Sequence, residues 1–204
     1  MKEVVTVRFL GQCLPRNPRG IACYAYIIRN KEGHLLHESC GLAAEPNSPS
    51  STNSIANYTA LIKALEWLIK NDYSNDIIKV YGNSKLVISQ INDGEVVSSS
   101  SSSSSSSNKN KMSKNTLPLY TKVMKLKSKF YYISFELNNN ENNRHIDDKE
   151  VEELSVLAYI EAKKKILEQS RSGGHNNSND RKRQEVQKKL FSTAAELMMA
   201  AAAK

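Results

Sequence analysis

Residues 52–68 constrain the fold of this 204-residue chain more than any other stretch. Apolar residues recur there at steps of three and four, as on a helix with one buried face, at Ala60, Leu61, Ala64, Leu65 and Leu68. Thr52, Asn53 and Ser54 precede them and offer side-chain oxygens to the free N–H groups of a helix start. The stretch therefore predicts a capped helix that packs on a larger apolar surface.

The segments around this helix predict an α/β domain with a mixed five-stranded sheet. Strand patterns occur at 4–10, 21–28, 35–42, 77–81 and 131–137, and residues 31–33 read as a hairpin turn. The strand at 77–81 is short and largely apolar, which we interpret as burial on both faces and hence parallel pairing with its neighbour. Further helices are predicted at 84–91, from Pro118 onward and at 149–168. The first three strands are expected to be antiparallel and the later ones parallel, with helices flanking the sheet.

The composition divides the chain into a domain and appendages. Residues 98–107 are ten serines, and a Lys- and Asn-rich stretch follows them. We predict a disordered insertion over 98–115, because such residues cannot bury enough apolar surface to offset the entropy of ordering. A folded domain is predicted for 1–169, a linker for 170–180 and a C-terminal amphipathic helix for 181–204. The apolar stripe of that helix is formed by Val186, Leu190, Ala194, Leu197 and Ala201.

The net charge indicates a class of partner, and the cysteine content indicates a redox compartment. The formal net charge is +8, which favours a polyanion such as RNA, although a merely soluble basic protein is the plainer reading. Cys13, Cys23 and Cys40 show no zinc or disulfide spacing, so free thiols in a reduced compartment are expected. No apolar run reaches the length of about 18 residues needed to cross a bilayer, and no membrane association is predicted.

Four short motifs resemble those of ribonuclease HI, in its archaeal and plant-like subgroup. Phe9-Leu-Gly11 resembles Phe-Asp-Gly, and Ala56-Asn-Tyr-Thr-Ala-Leu61 resembles Ala-Glu-Tyr-Thr-Ala-Leu. Asn83-Ser-Lys-Leu-Val-Ile88 is similar to Asp-Ser-Lys-Leu-Val-Ile. The stretch from Asp148 to Ser155 is similar to Asn-Lys-Glu-Ala-Asp-Glu-Leu-Ser. The resemblance covers roughly residues 4 to 162 and implies a ribonuclease H-like fold.

The same resemblance implies a catalytic site whose ligands have been replaced. In the family, four carboxylates hold two divalent ions that activate the attacking water and stabilise the leaving oxygen. Here Leu10, Asn57 and Asn83 stand where the family has Asp, Glu and Asp, and Glu152 stands for the last Asp. We therefore predict that no residue is catalytic, that no metal or other cofactor is bound and that the protein is not an enzyme. The alternative interpretation of Asn57 and Asn83 is that they have no functional role and only satisfy local hydrogen bonds.

Some residues that contact nucleic acid in the family remain. Residues 11–20 resemble the family's Gly-x-Cys-x-Pro-x-Asn-Pro-Gly-Gly loop beside the active site. The resemblance implies nucleic-acid contacts by Arg16, Asn17, Arg19, Asn53 and Arg144. Such contacts position a backbone and carry little sequence preference. The alternative is that these residues persist only as turn and cap residues.

Three functional hypotheses follow. The first is a catalytically inactive ribonuclease H-like protein that serves as a structural, RNA-associated subunit of a ribonucleoprotein. A mitochondrial ribosome is the leading case, and the helix at 181–204 would dock on protein subunits of the assembly. The second is a free-standing module that binds RNA–DNA hybrid or duplex RNA. The third is an active hybrid ribonuclease with unusual ligands. A mitochondrial location is expected under the first hypothesis, with the cytoplasm or nucleus as alternatives.

Overall fold

The computed structural model of the chain describes residues 2–93, 112–138 and 146–172. The strands in these ranges are β1 (Val4–Leu14), β2 (Ile21–Asn30), β3 (Leu35–Leu42), β4 (Ile77–Gly82) and β5 (Tyr132–Leu137). The helices are α1 (Asn53–Lys70), α2 (Lys85–Asp93), α3 (Leu117–Lys127) and α4 (Ile146–Ser172), with a 3₁₀ turn at Tyr73–Asn75. Residues 1–159 form one compact unit that contains the whole sheet, and residues 160–204 form a second unit. No helix in the described ranges is long and apolar enough to cross a membrane.

The sheet is mixed, as predicted. Its strand order is β3-β2-β1-β4-β5. β1 pairs antiparallel with β2, and β2 pairs antiparallel with β3. β4 pairs parallel with both β1 and β5. The turn between β2 and β3 places Gly33 at a φ of 84°, in the left-handed region that glycine enters without steric cost. The predicted fold class, three antiparallel strands followed by parallel ones, is confirmed.

Helix α1 has the buried stripe that its sequence predicts. Thr52 caps its first turn by accepting a hydrogen bond at Oγ1 from Ile55 N over 3.2 Å. Five residues of the stripe are fully buried, Ala60, Leu61, Ala64, Leu65 and Leu68. They pack in one hydrophobic cluster with the alternate β1 residues Val5, Val7 and Phe9. Burial of each large side chain stabilises the fold by about 1.5–3 kcal/mol, so the α1–β1 contact is the centre of the core.

Strand β1 is longer than predicted. The sequence indicated a loop from Gly11, but residues 11–14 continue to pair with β2, with Leu14 opposite Ile21. A Cβ atom at Gly11 would lie 2.0 Å from Asn57 N, so this glycine permits the close approach of α1 rather than a turn. The strand ends before Pro15, which has no N–H for the ladder.

Two predicted boundaries also differ from the structure. Residues 112–115 were assigned to the disordered insertion, yet Met112 is 5% exposed and belongs to the main core. Composition missed this anchor because one apolar residue follows a long polar run. Helix α4 continues to Ser172, three residues into the predicted linker 170–180. The serine run, Arg144, the rest of that linker and the predicted helix at 181–204 lie outside the described residues.

Candidate functional site

The two strand positions at which the family carries Asp lie at one end of the parallel pair β1–β4. Phe9 is opposite Gly82 in the register of this pair. Leu10 is the next residue of β1 and Asn83 directly follows β4, so both lie where the parallel pairing of the two strands ends. Side chains from neighbouring parallel strands converge at this end of a sheet, which is where open α/β sheets bind ligands. The fold therefore retains the geometry that places these two positions together.

Asn57 on α1 lies beside the same strand end and is bonded to the backbone of β1. Gly11 N donates to Asn57 Oδ1 over 3.0 Å, and Asn57 Nδ2 donates to Gly11 O over 2.8 Å. The same Nδ2 also donates to Asn53 O over 2.9 Å. The side chain is 3% exposed. Only an amide can accept and donate in this way, since a carboxylate lacks the donor and would face two carbonyl oxygens.

Leu10 is buried in an apolar cluster between the sheet and α4. It is 7% exposed and packs with Ala25, Ile27 and Val151. Val151 directly precedes Glu152, so α4 brings the fourth ligand position close to this cluster. Cys40 and Leu154 pack against the same cluster. A carboxylate placed among these apolar side chains would lose hydration.

Asn83 has a different environment from Asn57. Its side chain is exposed at the start of α2, and it makes no hydrogen bond to any residue that the structure describes. The two asparagines were treated alike in the sequence, as amides in place of acids. The structure assigns the predicted local hydrogen-bonding role to Asn57 and not to Asn83.

The first turn of α4 carries two acidic residues, Asp147 and Asp148, shortly before Glu152. Both are held by arginine. Arg8 Nη1 donates to Asp148 Oδ1 over 2.7 Å, and Arg8 Nε donates to Asp147 Oδ2 over 3.2 Å. Arg29 Nε lies 3.0 Å from Asp147 Oδ1, and Arg29 also pairs with Glu150. These carboxylates are therefore neutralised within the protein.

The donor set does not fit a pair of divalent ions. Two such ions carry four positive charges and need anionic oxygen ligands in matching number. Of the four positions that the resemblance assigns to ligands, only Glu152 carries an acid. Within the described ranges, no three His, Cys, Asp or Glu side chains are grouped in a way that could hold a metal ion. A two-ion mechanism cannot be derived from these residues.

Two of the predicted nucleic-acid contacts, Asn17 and Asn53, have side-chain NH₂ groups that can act as donors. Asn53 Oδ1 accepts from Cys13 N, and Asn17 Oδ1 accepts from Asn53 N over 3.1 Å. Both amide oxygens thus face backbone donors, which fixes the orientation of the amides. Their NH₂ groups form no hydrogen bond within the part of the chain that the structure describes. This leaves two neutral donors available to phosphate, ribose or base acceptors.

Arg16 and Arg19 are exposed on the loop between β1 and β2. Arg16 Nε donates to Arg19 O over 2.9 Å, and Arg19 N donates to Ser51 O over 3.0 Å. Arg19 has a φ of 68°, a conformation that costs a non-glycine residue about 1–2 kcal/mol. The loop is held from below by Cys13, whose Sγ donates to Arg16 O over 3.1 Å. The structure brings Arg16, Asn17, Arg19 and Asn53 together, whereas Arg144 lies outside the described residues.

A cavity of about 400 Å³ lies beside the start of α1. Its lining is apolar and neutral-polar, with Asn17, Thr52 and Gln90 among the polar residues. Gln90 Oε1 accepts from Tyr58 Oη over 2.8 Å, and burial raises the pKa of the Tyr58 phenol above its ordinary value. None of the lining residues is charged, so this cavity by itself offers no counter-charge to a phosphate.

Sequence reasoning missed two features of the site. Arg8 lies inside a strand of mostly apolar residues, which was a signal for a buried partner, but its partners are about 140 residues away along the chain. Ser51 is fully buried, accepts from Ala22 N over 2.9 Å and donates to Gly20 O over 2.8 Å. Its position in a Pro- and Ser-rich connection gave no sign of this role.

Comparison with known proteins gives one family and a set of similar structures. The model of the reverse transcriptase-like family matches residues 11–148. The N-terminal RNase H domain of a Mycobacterium tuberculosis protein, solved as a fusion with maltose-binding protein, is 20% identical with a TM-score of 0.61. The match covers 81% of this chain and 99% of that one.

Two further structures are similar at the level of the fold. RNase H1 from the halophilic archaeon Halobacterium salinarum is 20% identical with a TM-score of 0.55, over 78% of this chain and 98% of that one. LC11-RNase H1, isolated from compost by a metagenomic approach and solved in complex with RNA/DNA hybrid, is 22% identical with a TM-score of 0.57, over the same two shares. At sequence identities this low, the similarities show the fold alone.

Proposed function

This chain belongs to the reverse transcriptase-like family and is ribonuclease HI-like, and from that premise we propose that it binds nucleic acid without hydrolysing it. In its specific form, the proposal is a catalytically inactive, structural, RNA-associated subunit of a ribonucleoprotein, with a mitochondrial ribosome as the leading case. The fold supplies a scaffold that presents loops at the carboxyl end of its parallel strands. What differs from an active nuclease is the chemistry of the side chains placed there.

One observation carries the loss of catalysis. Asn57 is used as a two-way hydrogen-bond bridge between α1 and the backbone of Gly11. A side chain in that role cannot also be an anionic ligand of a metal ion. Leu10, in its apolar cluster with Val151, removes a second ligand. Glu152 alone provides too little negative charge for the two ions that phosphodiester hydrolysis by this fold requires.

Nucleic-acid binding is supported by groups that remain available. Asn17 and Asn53 present amide donors, and Arg16 and Arg19 present positive charge on the same loop. The formal net charge of +8 favours association with polyanions. LC11-RNase H1, a structural neighbour, was solved with RNA/DNA hybrid bound. Contacts of this kind position a backbone, so we expect affinity with little sequence preference.

The ribonucleoprotein role combines an inert fold, positive charge and an appended sequence. Residues 181–204 begin with Arg181, Lys182 and Arg183 and continue with an apolar stripe at Val186, Leu190, Ala194 and Leu197. An amphipathic segment of this kind suits docking into a groove of a protein subunit, while its basic start suits phosphate. A fold that no longer turns over substrate can be retained for such architectural use.

Native purification tests this role. The full chain carrying an affinity tag is expected to co-sediment with a large ribonucleoprotein in a sucrose gradient and to leave that fraction after ribonuclease treatment. A chain ending at residue 169 should fold but be depleted from the particle. Recovery in mitochondrial fractions would support the organellar case. Migration of the full chain as a free protein would overturn the subunit proposal.

A free-standing module that binds RNA–DNA hybrid or duplex RNA is the second candidate. The outward-facing amides of Asn17 and Asn53 favour it, since they need no assembly to act. Fluorescence anisotropy with hybrid, duplex RNA and duplex DNA separates the candidates when it is read together with the gradient. Tight hybrid binding by a protein that sediments alone would replace the first proposal with this one.

A further inference from the structure

The helices that cover the sheet carry positive charge away from the former catalytic end. Between Met112 and Phe135 the sequence has five lysines and no aspartate or glutamate. Helix α3 occupies nearly half of this stretch and contacts α1. The charge belongs to folded, well-packed elements, because Val123 and Leu126 of α3 are buried in the main core. We define the lysine surface as Lys63 and Lys70 of α1 together with Lys122, Lys125 and Lys129 of α3 and the residues following it.

An exposed ion pair lies at the contact between the two helices. Lys122 Nζ lies 2.6 Å from Glu66 Oε1, and both side chains are about half exposed. Residues three or four positions apart on a helix have Cβ atoms about 5–6 Å apart on one face. Lys63 and Lys70 are therefore neighbours of Glu66 on α1, and Lys125 is a neighbour of Lys122 on α3. The lysine surface surrounds this ion pair.

Few carboxylates of the protein neutralise the positive charges of the lysine surface. All five lysines are exposed. Glu66 is matched by Lys122, while Lys70, Lys125 and Lys129 form no ion pair with any residue that the structure describes. Lys63 Nζ lies 5.2 Å from the centre of the Tyr24 ring, a cation–π contact that involves no carboxylate. The carboxylates that follow α1 are Asp72 and Asp76, and Asp76 Oδ1 accepts from Glu3 N. A net positive field remains, and a polyanion would relieve it.

The lysine surface extends away from the former catalytic end. α1 leads through the 3₁₀ turn into the start of β4, and α3 leads into the start of β5. Ile77 and Tyr132, the first residues of these parallel strands, are paired, so both helices end at the same end of the sheet. Lys70 and Lys129 thus lie at the end opposite to Leu10 and Asn83. A ligand held there need not enter the old cleft.

We propose that the lysine surface of α1 and α3 binds the phosphodiester backbone of a structured RNA. This rests on the proposed RNA-associated function and adds a second RNA contact to the loop that carries Arg16 and Arg19. Lysine is a flexible point charge, which suits phosphate contacts that do not read sequence. Stacking of a base on Trp67 is not expected, because Trp67 is partly buried and is covered by His37 on one side and Tyr73 on the other, at ring distances of 4.8 and 5.7 Å. The exposed aromatics beside this surface are Tyr131 and Tyr132, and Lys2 Nζ lies over the Tyr131 ring.

Charge reversal at matched positions tests the proposal. The test variant is Lys70→Glu with Lys125→Glu and Lys129→Glu. The control variant is Lys31→Glu with Lys79→Glu and Lys164→Glu, three exposed lysines elsewhere that change the formal net charge by the same amount. Binding of an RNA hairpin of about 20 base pairs is followed by anisotropy across a salt titration. Each lost phosphate contact should lower the salt slope by about 0.9.

The test variant should bind at least about tenfold more weakly at low salt and lose about two to three from its salt slope, while the control keeps the slope of the unmodified protein. Trp67, the only tryptophan, should report binding in the unmodified protein by a change in fluorescence. Equal losses in both variants would show a net-charge effect and overturn the proposal, as would unchanged binding by the test variant. A Lys→Gln triple at the same positions replaces the test variant if charge reversal prevents folding.

Failure of the lysine-surface proposal can be distinguished from failure of the proposed function. If the protein cleaved hybrid or sedimented alone, the function proposal would fail, yet the comparison of the two variants would still say whether α1 and α3 hold RNA. If instead the test variant bound normally while the protein remained inactive and particle-associated, only the lysine surface would be rejected.

Discussion

Asn57 and Asn83 show at the scale of single residues why the same substitution has different consequences. Both are amides at positions where the resembling family has acids. Asn57 is buried and donates to two backbone carbonyls, while Asn83 is exposed at the end of β4. The sequence could identify both positions from their motifs. It could not separate them, because the difference depends on how closely α1 approaches Gly11.

Asn57→Asp should destabilise the protein by about 3 kcal/mol at pH 7, because it removes a buried donor and places a negative oxygen beside the carbonyls of Gly11 and Asn53. Burial raises the pKa of such a carboxyl in the folded state, so the variant should recover stability as pH falls and the new group protonates. Urea unfolding at pH 7 and pH 5 measures this. Asn83→Asp is the matched control and should change stability by less than about 0.5 kcal/mol. Similar effects of the two substitutions would contradict the bridging role of Asn57.

Arg19→Gly should separate turn geometry from binding. The backbone at a φ of 68° suits glycine, so the variant should be as stable as the unmodified protein or more stable by up to about 1 kcal/mol. Loss of the guanidinium should at the same time weaken RNA binding and reduce the salt slope by about one. Thermal unfolding and anisotropy give the two readouts. If RNA affinity and salt slope stay unchanged, Arg19 is a turn residue only.

The arginine cluster shows at the scale of elements how α4 is held to the sheet. Arg8 of β1 and Arg29 of β2 bind acids in the first turn of α4. Carboxylates near a helix N-terminus are also favoured by the helix dipole. The sequence placed Asp147 and Asp148 before the helix, near Glu152. The structure instead places them inside α4, where they fix its start on the sheet.

Arg8→Met should cost about 2–3 kcal/mol, because Asp148 loses its partner in a largely buried position. Adding Asp148→Asn should return more than about 1 kcal/mol of this loss, and a double-mutant cycle by urea unfolding measures the coupling. The exposed pair Glu161–Lys165 is the control, at 2.7 Å on the surface of α4. Glu161→Gln should leave the unfolding midpoint unchanged within error. Additive effects of Arg8→Met and Asp148→Asn would show that this pair does not hold α4.

Stacked aromatic rings connect β3 to α1, and we expect them to make the stability of the protein depend on pH. His37 of β3 stacks on Trp67 with an interplanar angle of 4°, and burial lowers the pKa of His37 below its ordinary value of 6.5. The unfolded chain therefore binds the proton more readily, so the contribution of His37 to stability is present above about pH 6.5 and is lost as pH falls below it. Urea unfolding between pH 7.5 and pH 5 should show a larger loss for the unmodified protein than for His37→Phe. Parallel pH profiles would contradict this.

The lengths of several elements could not be read from the sequence, and the reasons are physical. Gly11 and Pro15 indicated a loop, but pairing with β2 extends β1 as far as Leu14. Met112 looked like part of a polar insertion until the core showed a place for it. The stripe of α1 was predicted correctly, because burial sets that pattern. The parallel pairing of β4 was also predicted correctly, although the premise of burial on both faces was wrong, since Lys79 is exposed.

The whole molecule joins a retained architecture to altered chemistry. The mixed sheet and the central helix were predicted from the sequence, whereas the strand order was seen only in the structure. The replacement of ligand residues was also visible in the sequence. The structure was needed to show what the replaced residues do: Asn57 forms a hydrogen-bond bridge and Leu10 an apolar contact. It was also needed to find the separate lysine surface on α1 and α3. The predicted tail at 181–204 stays a prediction.

Hydrolysis of an RNA–DNA hybrid is the most direct test of the central claim, that the fold persists without its two-ion chemistry. The purified full chain is incubated with a labelled hybrid in Mg²⁺ or in Mn²⁺, beside an RNase H1 such as the Halobacterium salinarum enzyme as positive control. We predict no cleavage above buffer in either metal, because Leu10, Asn57 and Asn83 supply no anionic ligand. Metal-dependent cleavage that disappears on Glu152→Gln would contradict the account.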